Sequence, residues 1–590
     1  MAAIASEREG MTAPRGLVGL AGLALRSMVE SLQGRLARVM PRPVTFRVRG
    51  LAMPLPKIAP ARGGIAQEMY RGHFSFHGKT FACNGRVVFD LDVADDAWLA
   101  ALHGFDWLHG LTAKGRFLWR VFARSLISDW EERNGRLPAA AMRPEVMARR
   151  IMNWICAAPG LLEGAPEDFG RLFFNSLTWQ IKKLSRRGLR GSTAYERMMV
   201  RLALAHAAVG LQGLEQIRTG VLRRLAEELR RQILPDGGHV SRSPAILLDI
   251  VTHLAPLREA LEKAKLPIPE DLGNALERAM PMLRFFSHGD GGLVLFNGVS
   301  DPACGPLAAV LAADRIGGRP LSHAPHSGYG RLSQGVGLVV ADVGRPPAPG
   351  LNPDAALSVA AFEFSHGPMR IITNCGAPRI PSRAWRRAAR LSSAHSTVTM
   401  GGQEAGRILD NALTQALFRG AALTGPGRLQ AQVRETSGGS LLEVSHDAFA
   451  RGCGFVHTRR LFLAPDGQDL RGEDVFAPAM ENRPPREVPF VIRFHLHPSV
   501  DASLSRDGNS IVLRLADKSG WTFSARGGRV RLEESVLLAA EKGLRRTVQI
   551  VVEGAAGQSG NTVKWFLRRM EEAPRRKKRA GKEACPQLPL

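Results

Sequence analysis

His288-Gly289-Asp290-Gly291-Gly292 separates two parts of the chain whose apolar residues repeat with different periods. Before this string, from residue 96 onward, apolar residues recur at spacings of three and four, which is typical of amphipathic α-helices. After it, short stretches of alternating apolar and polar residues are separated by turn-forming residues, which is typical of β-strands. The sequence therefore predicts a helical domain followed by a sheet domain.

Successive amphipathic helices are predicted over residues 96–288. They lie near 114–133, 144–157, 168–187, 195–211, 213–234, 244–264 and 270–287. Pro144 followed by Glu145, and Ser243 followed by Pro244, are typical helix starts. Short loops containing Gly or Pro connect the segments, which favours an antiparallel array of α/α hairpins. Periodicity leaves open whether the array closes into a ring.

Residues 289–556 are predicted to form an antiparallel β-sandwich, because many strands follow one another without intervening helices. The turns between them include Asp466-Gly467, Gly527-Gly528 and Asp507-Gly508. Residues 1–95 are predicted to be a lead-in segment with an amphipathic helix and a Pro-rich, extended arm. Residues 557–590 are predicted to be a basic tail.

Composition indicates an ordinary globular protein, with 45% hydrophobic and 23% charged residues in a chain of 590. The net charge of +26 favours polyanionic partners such as nucleic acid, acidic polysaccharide or anionic lipid. The run Arg575–Arg579 contributes part of that charge, and specific nucleic-acid recognition is not predicted. The six cysteines lack CxxC spacing, which argues against a zinc ribbon and against a dense disulfide framework. No cofactor and no metal site are predicted, and the oligomeric state is left open.

The apolar stretch Gly16–Leu25 is about half as long as a membrane span requires. No transmembrane segment is predicted. No clear cleavage site follows this stretch, so export remains open.

Arg493-Phe494-His495-Leu496-His497-Pro498 is predicted to be a strand with three potentially cationic side chains on one face. Such a strip suggests handling of an acidic polymer. Alternate histidines on a strand can also share a metal, but two ligands are too few for a site. The remaining interpretation is a half-buried strand whose histidines form local hydrogen bonds.

Several strings in the same order resemble the heparinase II/III family of polysaccharide lyases. They are Arg149–Trp154, Gln232–His239, Phe362–Gly367, Asn374–Gly376, Ala394–Thr397, Ser445–Asp447, His457–Arg460 and Arg493–Pro498. The resemblance implies an incomplete (α/α) toroid packed on antiparallel sheets, with the substrate groove between them. It also implies β-elimination on a uronic-acid-containing polysaccharide. The implied location is the cell envelope or periplasm, with the cytoplasm as the alternative.

The sequence departs from the family at positions that usually carry its chemistry. The Tyr-His pair expected after the Asp-Gly loop is absent from Ser243–Asp249, and the expected Asn-His element is replaced by Arg190–Thr193. Ala356 occupies the place of a family His, and Asn374 that of a metal-ligand Asp.

The candidate catalytic residues are His239, Arg242, His395 and Tyr329, placed in a groove between the two domains. β-Elimination needs a group that neutralises the uronate carboxylate, a base for the C5 proton and an acid for the leaving oxygen. Arg242 is predicted to pair with the carboxylate, and His239 or Tyr329 to remove the proton. His395 is predicted to orient the substrate or assist the leaving group. The alternatives are an exposed loop histidine for His239, a hydrogen-bonded structural histidine for His395 and a turn-packing tyrosine for Tyr329.

The sequence therefore predicts a heparinase II/III-like polysaccharide lyase. The alternative is a non-catalytic protein of the cell envelope that binds acidic glycans on the same scaffold. A third class, non-specific nucleic-acid binding, rests on the net charge and the basic tail.

Overall fold

The computed structural model confirms a helical half followed by an antiparallel sheet half. It describes residues 46–58, 63–112, 117–186, 192–300, 302–380, 382–418, 422–480, 486–506, 508, 510–540 and 543–570. The predictions for the apolar stretch 16–25, for the amphipathic helix after it and for the basic run 575–579 lie outside these residues.

The described part of the helical half contains a series of antiparallel helices. They are α1 (Gly63–Tyr70), α2 (Asp96–Gly104), α3 (Leu108–Thr112), α4 (Phe117–Glu132), α5 (Pro144–Leu162), α6 (Glu167–Arg186), α7 (Ala194–Gly210), α8 (Glu215–Gln232), α9 (Pro244–Lys263), α10 (Glu270–Phe285) and α11 (Cys304–Ala312). α5, α7 and α9 pack side by side, and α8 packs against α10. Because one antiparallel helix separates each of α5, α7 and α9 from the next, these three helices run parallel. We call them the inner helices.

Local signals in the sequence explain where the inner helices begin. α5 starts with Pro144, whose missing N–H is not needed in a first turn. α7 starts with a capping box, in which Thr193 accepts from the backbone N–H of Glu196 and the Glu196 carboxylate accepts from that of Thr193. These starts position Arg149 and Tyr195, which enter the candidate site below.

Aromatic side chains form much of the helical core. Trp154 is fully buried, and its ring lies 5.5 Å from that of Phe173 and 5.6 Å from that of Trp130. Arg150 is buried beside them, and its guanidinium donates to Gln180 and to the carbonyl oxygens of His103 and Ala141. These bonds satisfy several of the donors of the guanidinium, which would be costly to bury without such partners.

Two antiparallel sheets form the sheet half. Their strands are β3 (His323–Ala324), β4 (Tyr329–Gln334), β5 (Gly337–Asp342), β6 (Phe362–His366), β7 (Met369–Thr373), β8 (Val398–Met400), β11 (Leu429–Thr436), β12 (Gly439–His446), β13 (Phe455–Leu463), β14 (Asp469–Pro478), β15 (Val488–Leu496), β16 (Asp501–Leu504), β17 (Ser510–Arg514), β18 (Gly520–Arg526), β19 (Arg529–Leu537), β20 (Arg545–Ala556) and β21 (Asn561–Arg569). Two small pairs lie outside them: β1 (His73–Phe76) with β2 (Lys79–Ala82), and β9 (Arg407–Leu409) with β10 (Ala422–Thr424). Short helices α12 (Arg383–Ala388), α13 (Ala412–Phe418) and α14 (Ala450–Cys453) connect strands.

The order of the larger sheet is β19-β20-β15-β7-β6-β5-β4-β3, and β8 also pairs with β15. The other sheet has the order β11-β12-β13-β14-β21-β18-β17-β16. One apolar core lies between the sheets, so the predicted sandwich is confirmed. β21 falls within residues 557–590, which had been assigned to the basic tail. Val563, Trp565 and Leu567 face the core from this strand, so the predicted end of the sheet domain at 556 is too early.

Phe494 and Leu496 of β15 are fully buried in the sandwich core. His495 is also buried and forms hydrogen bonds with the Ser535 hydroxyl (2.7 Å) and the Ser393 carbonyl (3.1 Å). Burial lowers the pKa of His495 to about 3 and the pKa of His497 to about 4. Both histidines are therefore neutral near pH 7, and the predicted cationic strip is wrong for them.

None of the helices in the described ranges combines the length and the apolar composition that a membrane crossing requires.

Candidate functional site

Residues 233–243 form the loop between α8 and α9. This loop belongs to the helical half and contacts the sheet half. Its backbone turns at Gly237, whose φ is +86°. Asp236 accepts hydrogen bonds from the backbone N–H of Gly238 at 3.1 Å and from that of Ser327, in the sheet half, at 2.7 Å. The loop is therefore held in place by both halves of the protein.

Arg242 at the end of this loop is buried at the junction, with 7% of its surface exposed. Its guanidinium donates to the carbonyl oxygens of Ser327 (2.7 Å) and Gly328 (2.8 Å) and forms an ion pair with Asp342. A further bond goes to the carbonyl oxygen of Arg345. Arg242 was predicted to lie in a groove between the two domains and to pair with a substrate carboxylate. In the structure its guanidinium donates to these protein groups.

Tyr329 is fully buried beside Arg242, and the guanidinium carbon lies 4.9 Å from the centre of its ring. The Tyr329 hydroxyl donates to the carbonyl oxygen of Arg242 and accepts from the Asn297 amide at 2.7 Å. Burial raises the pKa of this phenol well above its ordinary value. The structure thus brings together Arg242 and Tyr329, two of the predicted residues, within the junction.

The two predicted histidines occupy other positions. His239 is buried, and its ring nitrogens form hydrogen bonds with the Ser241 hydroxyl (2.6 Å) and the Gln232 side chain (2.8 Å). Burial lowers its pKa to about 3. His395 is also buried, and its Nδ1 donates to the carbonyl oxygen of Leu391 at 2.8 Å. The catalytic role of His239, Arg242, His395 and Tyr329 stays a prediction.

A second group of polar side chains, more accessible to solvent, lies at the starts of the inner helices. Arg149 of α5 donates to both carboxylate oxygens of Asp249 in α9, at 3.0 and 2.9 Å. Tyr195 of α7 donates to Asp249 at 2.7 Å and accepts from Arg149 at 2.6 Å. We call Arg149, Tyr195 and Asp249 the inner-helix cluster. About a quarter of the Arg149 and Asp249 side-chain surfaces is exposed.

Residues from the lead-in segment and from the end of α2 adjoin this cluster. Lys57 donates to Asn153 at 2.8 Å and lies 3.3 Å from a carboxylate oxygen of Asp106. Asp106 also lies 3.5 Å from Arg149. The positive and negative side chains are thus balanced, and each cation has a carboxylate neighbour.

The inner-helix cluster lies at the end of the array that faces the sheet half. The starts of α5, α7 and α9 meet there, and α9 follows directly on the loop that contacts the sheet. Burial alone would raise the pKa of Asp249, but Arg149 holds it below its ordinary value. Burial raises the pKa of Tyr195 well above its usual range. At neutral pH the cluster therefore contains a guanidinium, a carboxylate and a neutral phenol.

Sequence reasoning did not select the inner-helix cluster. Arg149 and Asp249 are 100 residues apart in the chain. One feature of the sequence could have indicated the cluster: all three residues lie within two turns of the start of alternate helices. Such positions come together only if the alternate helices pack side by side in register.

The residues at the family's metal-ligand positions do not fit a metal ion here. The Asn374 amide nitrogen donates to Glu363 at 3.0 Å, and its oxygen accepts from the backbone N–H of Ser396 at 2.9 Å. The Ala356 side chain has no atom that can bind a metal ion. Within the described ranges, no group of three or more His, Cys, Asp or Glu side chains is arranged to hold a metal.

Comparisons with known proteins agree with this architecture. A family model described as "Heparinase II/III-like, C-terminal" matches residues 316–566. FtsZ-localized protein C of Caulobacter vibrioides is 34% identical over 569 residues, covering 93% of this chain and 95% of that protein. A crystal structure of heparinase III is similar with a TM-score of 0.65 at 14% identity, covering 92% of this chain and 90% of that one. A mutant heparan sulfate lyase from Pedobacter heparinus has a TM-score of 0.57 at 15% identity, covering 88% and 84%. The likeness to these two structures shows the fold. The family model and the near full-length relative together establish that the chain belongs to the heparinase II/III-like family.

Proposed function

We propose that this protein is a non-catalytic member of the family that works with FtsZ at the site of bacterial cell division, where it binds an acidic ligand. The observation that carries the proposal is the 34% identity to FtsZ-localized protein C, which extends over 93% of the chain. Similarity over both halves favours a role that needs the whole molecule rather than one shared domain.

The hydrogen bonds of the predicted catalytic residues argue against lyase chemistry at that position. A lyase needs a base that can reach the C5 proton and a cation that can reach the carboxylate. Arg242 donates hydrogen bonds to backbone carbonyl oxygens and to Asp342, and the Tyr329 hydroxyl donates to a backbone carbonyl oxygen. His239 has partners on both ring nitrogens. Recruiting these groups to a substrate would leave buried polar atoms without partners, which costs about 1–3 kcal/mol for each one.

The localisation arm of the test uses a fluorescent fusion of the full chain in Caulobacter vibrioides cells that lack FtsZ-localized protein C. We expect a band at mid-cell that coincides with FtsZ and disperses when FtsZ is depleted. An even distribution in cells with intact FtsZ rings would contradict the division role. Unfused fluorescent protein at matched expression is the control.

A lyase acting on a uronate polysaccharide is the second candidate, and the inner-helix cluster is the observation that favours it. Tyr195 and Arg149 provide a phenol and a guanidinium within 2.6 Å of each other at the array end that faces the sheet half. Arg149 would have to exchange its bidentate pairing with Asp249 for the substrate carboxylate. Because Asp249 competes with the substrate carboxylate for Arg149, the lyase is the second candidate.

The activity arm measures ultraviolet absorbance of unsaturated product during incubation with a panel of uronate polymers. The binding proposal predicts no product from the wild-type protein. Product that disappears in Tyr195→Phe and persists in Tyr70→Phe, a change at an exposed tyrosine, would instead establish the lyase at the inner-helix cluster. Product that persists in Tyr195→Phe and is lost in His395→Gln would favour the residues predicted from the sequence.

A further inference from the structure

The hydrogen-bonded group that we call the junction network consists of Arg242, Asn297, Tyr329 and Asp342. A small cavity lies beside α12 in the sheet half, and Asn297 forms part of its wall. Its walls include Ala356, Arg386, Arg390 and His395. Its accessible volume is about 10 Å³, which is about the space that one water-sized group needs. A sugar ring does not fit inside this volume, whereas one oxygen of a carboxylate or phosphate does.

Arg390 is the buried cation of this cavity, with 8% of its surface exposed. Its Nε donates to the carbonyl oxygen of Ala355 at 2.8 Å. Its Nη2 is buried and has no hydrogen-bond partner. Among the described residues no carboxylate lies within ion-pair distance of it, although Asp354 and Asp410 act on its charge from further away. A buried guanidinium with an unused donor is unfavourable until an acceptor reaches it.

One further cation, Arg386, and one carboxylate, Asp354, lie at the cavity. Arg386 also lines the cavity, has 60% of its side chain exposed and lies 4.0 Å from Asp354, at the limit of an ion pair. Arg387 on the same helix pairs with Asp410. Arg386 is thus positioned to attract an anion towards Arg390, and its loose pairing with Asp354 leaves it able to contribute to binding.

We propose that this cavity is an oxyanion site, in which one oxygen of a carboxylate or phosphate group binds to the guanidinium of Arg390 while Arg386 contacts the group from the mouth. Charge-assisted bonds from arginine suit both groups. The rest of the ligand stays outside the cavity, because the accessible volume admits only one oxygen of the carboxylate or phosphate group. This site lies apart from the inner-helix cluster and does not depend on the function proposed above.

The experiment is calorimetric titration of the full-length protein, in chloride-free buffer, with inorganic phosphate, acetate and polygalacturonate. We expect saturable binding of at least one probe, weakened at least tenfold in Arg390→Gln. Binding of phosphate alone identifies a free anion as the ligand, and binding of polygalacturonate alone identifies an acidic polymer. Equal affinity of wild type and Arg390→Gln for every probe, or no saturable binding at all, overturns the proposal.

Two further variants guard against a folding defect in Arg390→Gln. Ala356→Val narrows the cavity without changing any charge, and it is expected to weaken binding as well. Arg460→Gln removes an exposed arginine whose partners are Glu443 and Glu473 on the outer sheet surface, and it is expected to leave binding unchanged. Thermal unfolding of each variant checks that it is folded. Unchanged affinity in folded Ala356→Val would place the ligand elsewhere and overturn the site.

Discussion

Arg242 carries a buried charge whose partner, Asp342, is only 1% exposed. Replacing Arg242 with Gln leaves that carboxylate buried without a counter-charge. We expect Arg242→Gln to lower the free energy of unfolding by about 3–5 kcal/mol, the usual effect of breaking a buried pair. Urea-induced unfolding measures this change.

The matched control for Arg242→Gln is Arg460→Gln, because Arg460 pairs with Glu443 and Glu473 on an exposed sheet surface. Exposed pairs contribute only about 0–1 kcal/mol. A loss of similar size in both variants would contradict the importance of the Arg242–Asp342 pair at the junction.

His239 makes the stability of the protein depend on pH. Burial lowers its pKa to about 3 in the folded protein, whereas an unfolded histidine has a pKa of about 6.5. Between these values the unfolded chain binds a proton that the folded protein does not, so stability falls as the pH decreases from about 6.5 towards 3. The slope for one such group is at most about 1.4 kcal/mol per pH unit.

We therefore expect His239→Gln to reduce the dependence of the unfolding free energy on pH between about pH 4 and 6, relative to wild type. Unfolding in urea at a series of pH values measures the two slopes. His326→Gln, a change at an exposed histidine, serves as the control. Identical slopes in wild type and His239→Gln would mean that His239 takes up its proton equally in both states.

The loop of residues 233–243 is one of the elements that hold the two halves together, and Gly237 gives it its shape. A Cβ at Gly237 would lie 1.9 Å from the carbonyl oxygen of Arg278, and φ there is +86°. We expect Gly237→Ala to lower the unfolding free energy by more than about 1 kcal/mol. At Gly273 in α10 a Cβ would meet nothing within 4 Å. Gly273→Ala is therefore expected to raise the unfolding free energy by about 0.5–1 kcal/mol. Thermal unfolding of the two variants shows whether their effects have opposite signs.

Element types were predictable where the pattern was local. Alternation in Arg493–Pro498 predicted a strand, and β15 ends in this stretch at Leu496. The same alternation could not tell that β15 would lie between β20 and β7 in the middle of a sheet. That position buries His495 and removes its charge. The end at 556 was placed too early because a tail rich in arginine and lysine follows β21 without a clear break.

At the scale of the whole molecule, the order of a helical half and a sheet half was predictable because each half has its own period. The inner-helix cluster was not, since it joins residues 100 positions apart through helix packing. The junction network was only partly predicted. Gly-rich strings indicated a loop with His239 and Arg242, but they could not indicate that Asp342 and backbone carbonyl oxygens would accept the donors of Arg242.

The net charge of +26 is a property of the whole chain, and part of it lies in residues 574–590. We expect the protein to bind duplex DNA weakly and without sequence preference, with affinity that falls steeply as salt increases. Truncation after residue 573 is expected to abolish this binding and to leave the unfolding temperature unchanged. Fluorescence anisotropy at several salt concentrations measures the effect. Unchanged DNA affinity after truncation would assign the binding to the folded domains instead.

The parallel direction of the inner helices has an electrostatic consequence. The aligned peptide dipoles of a helix place about half an elementary positive charge at its first turn. Because α5, α7 and α9 begin at the same end of the array, three such partial charges converge around Arg149, Tyr195 and Asp249. This positive potential comes from the backbone, so it does not titrate. Although the side chains there balance one another, the end of the array that faces the sheet half still attracts anions.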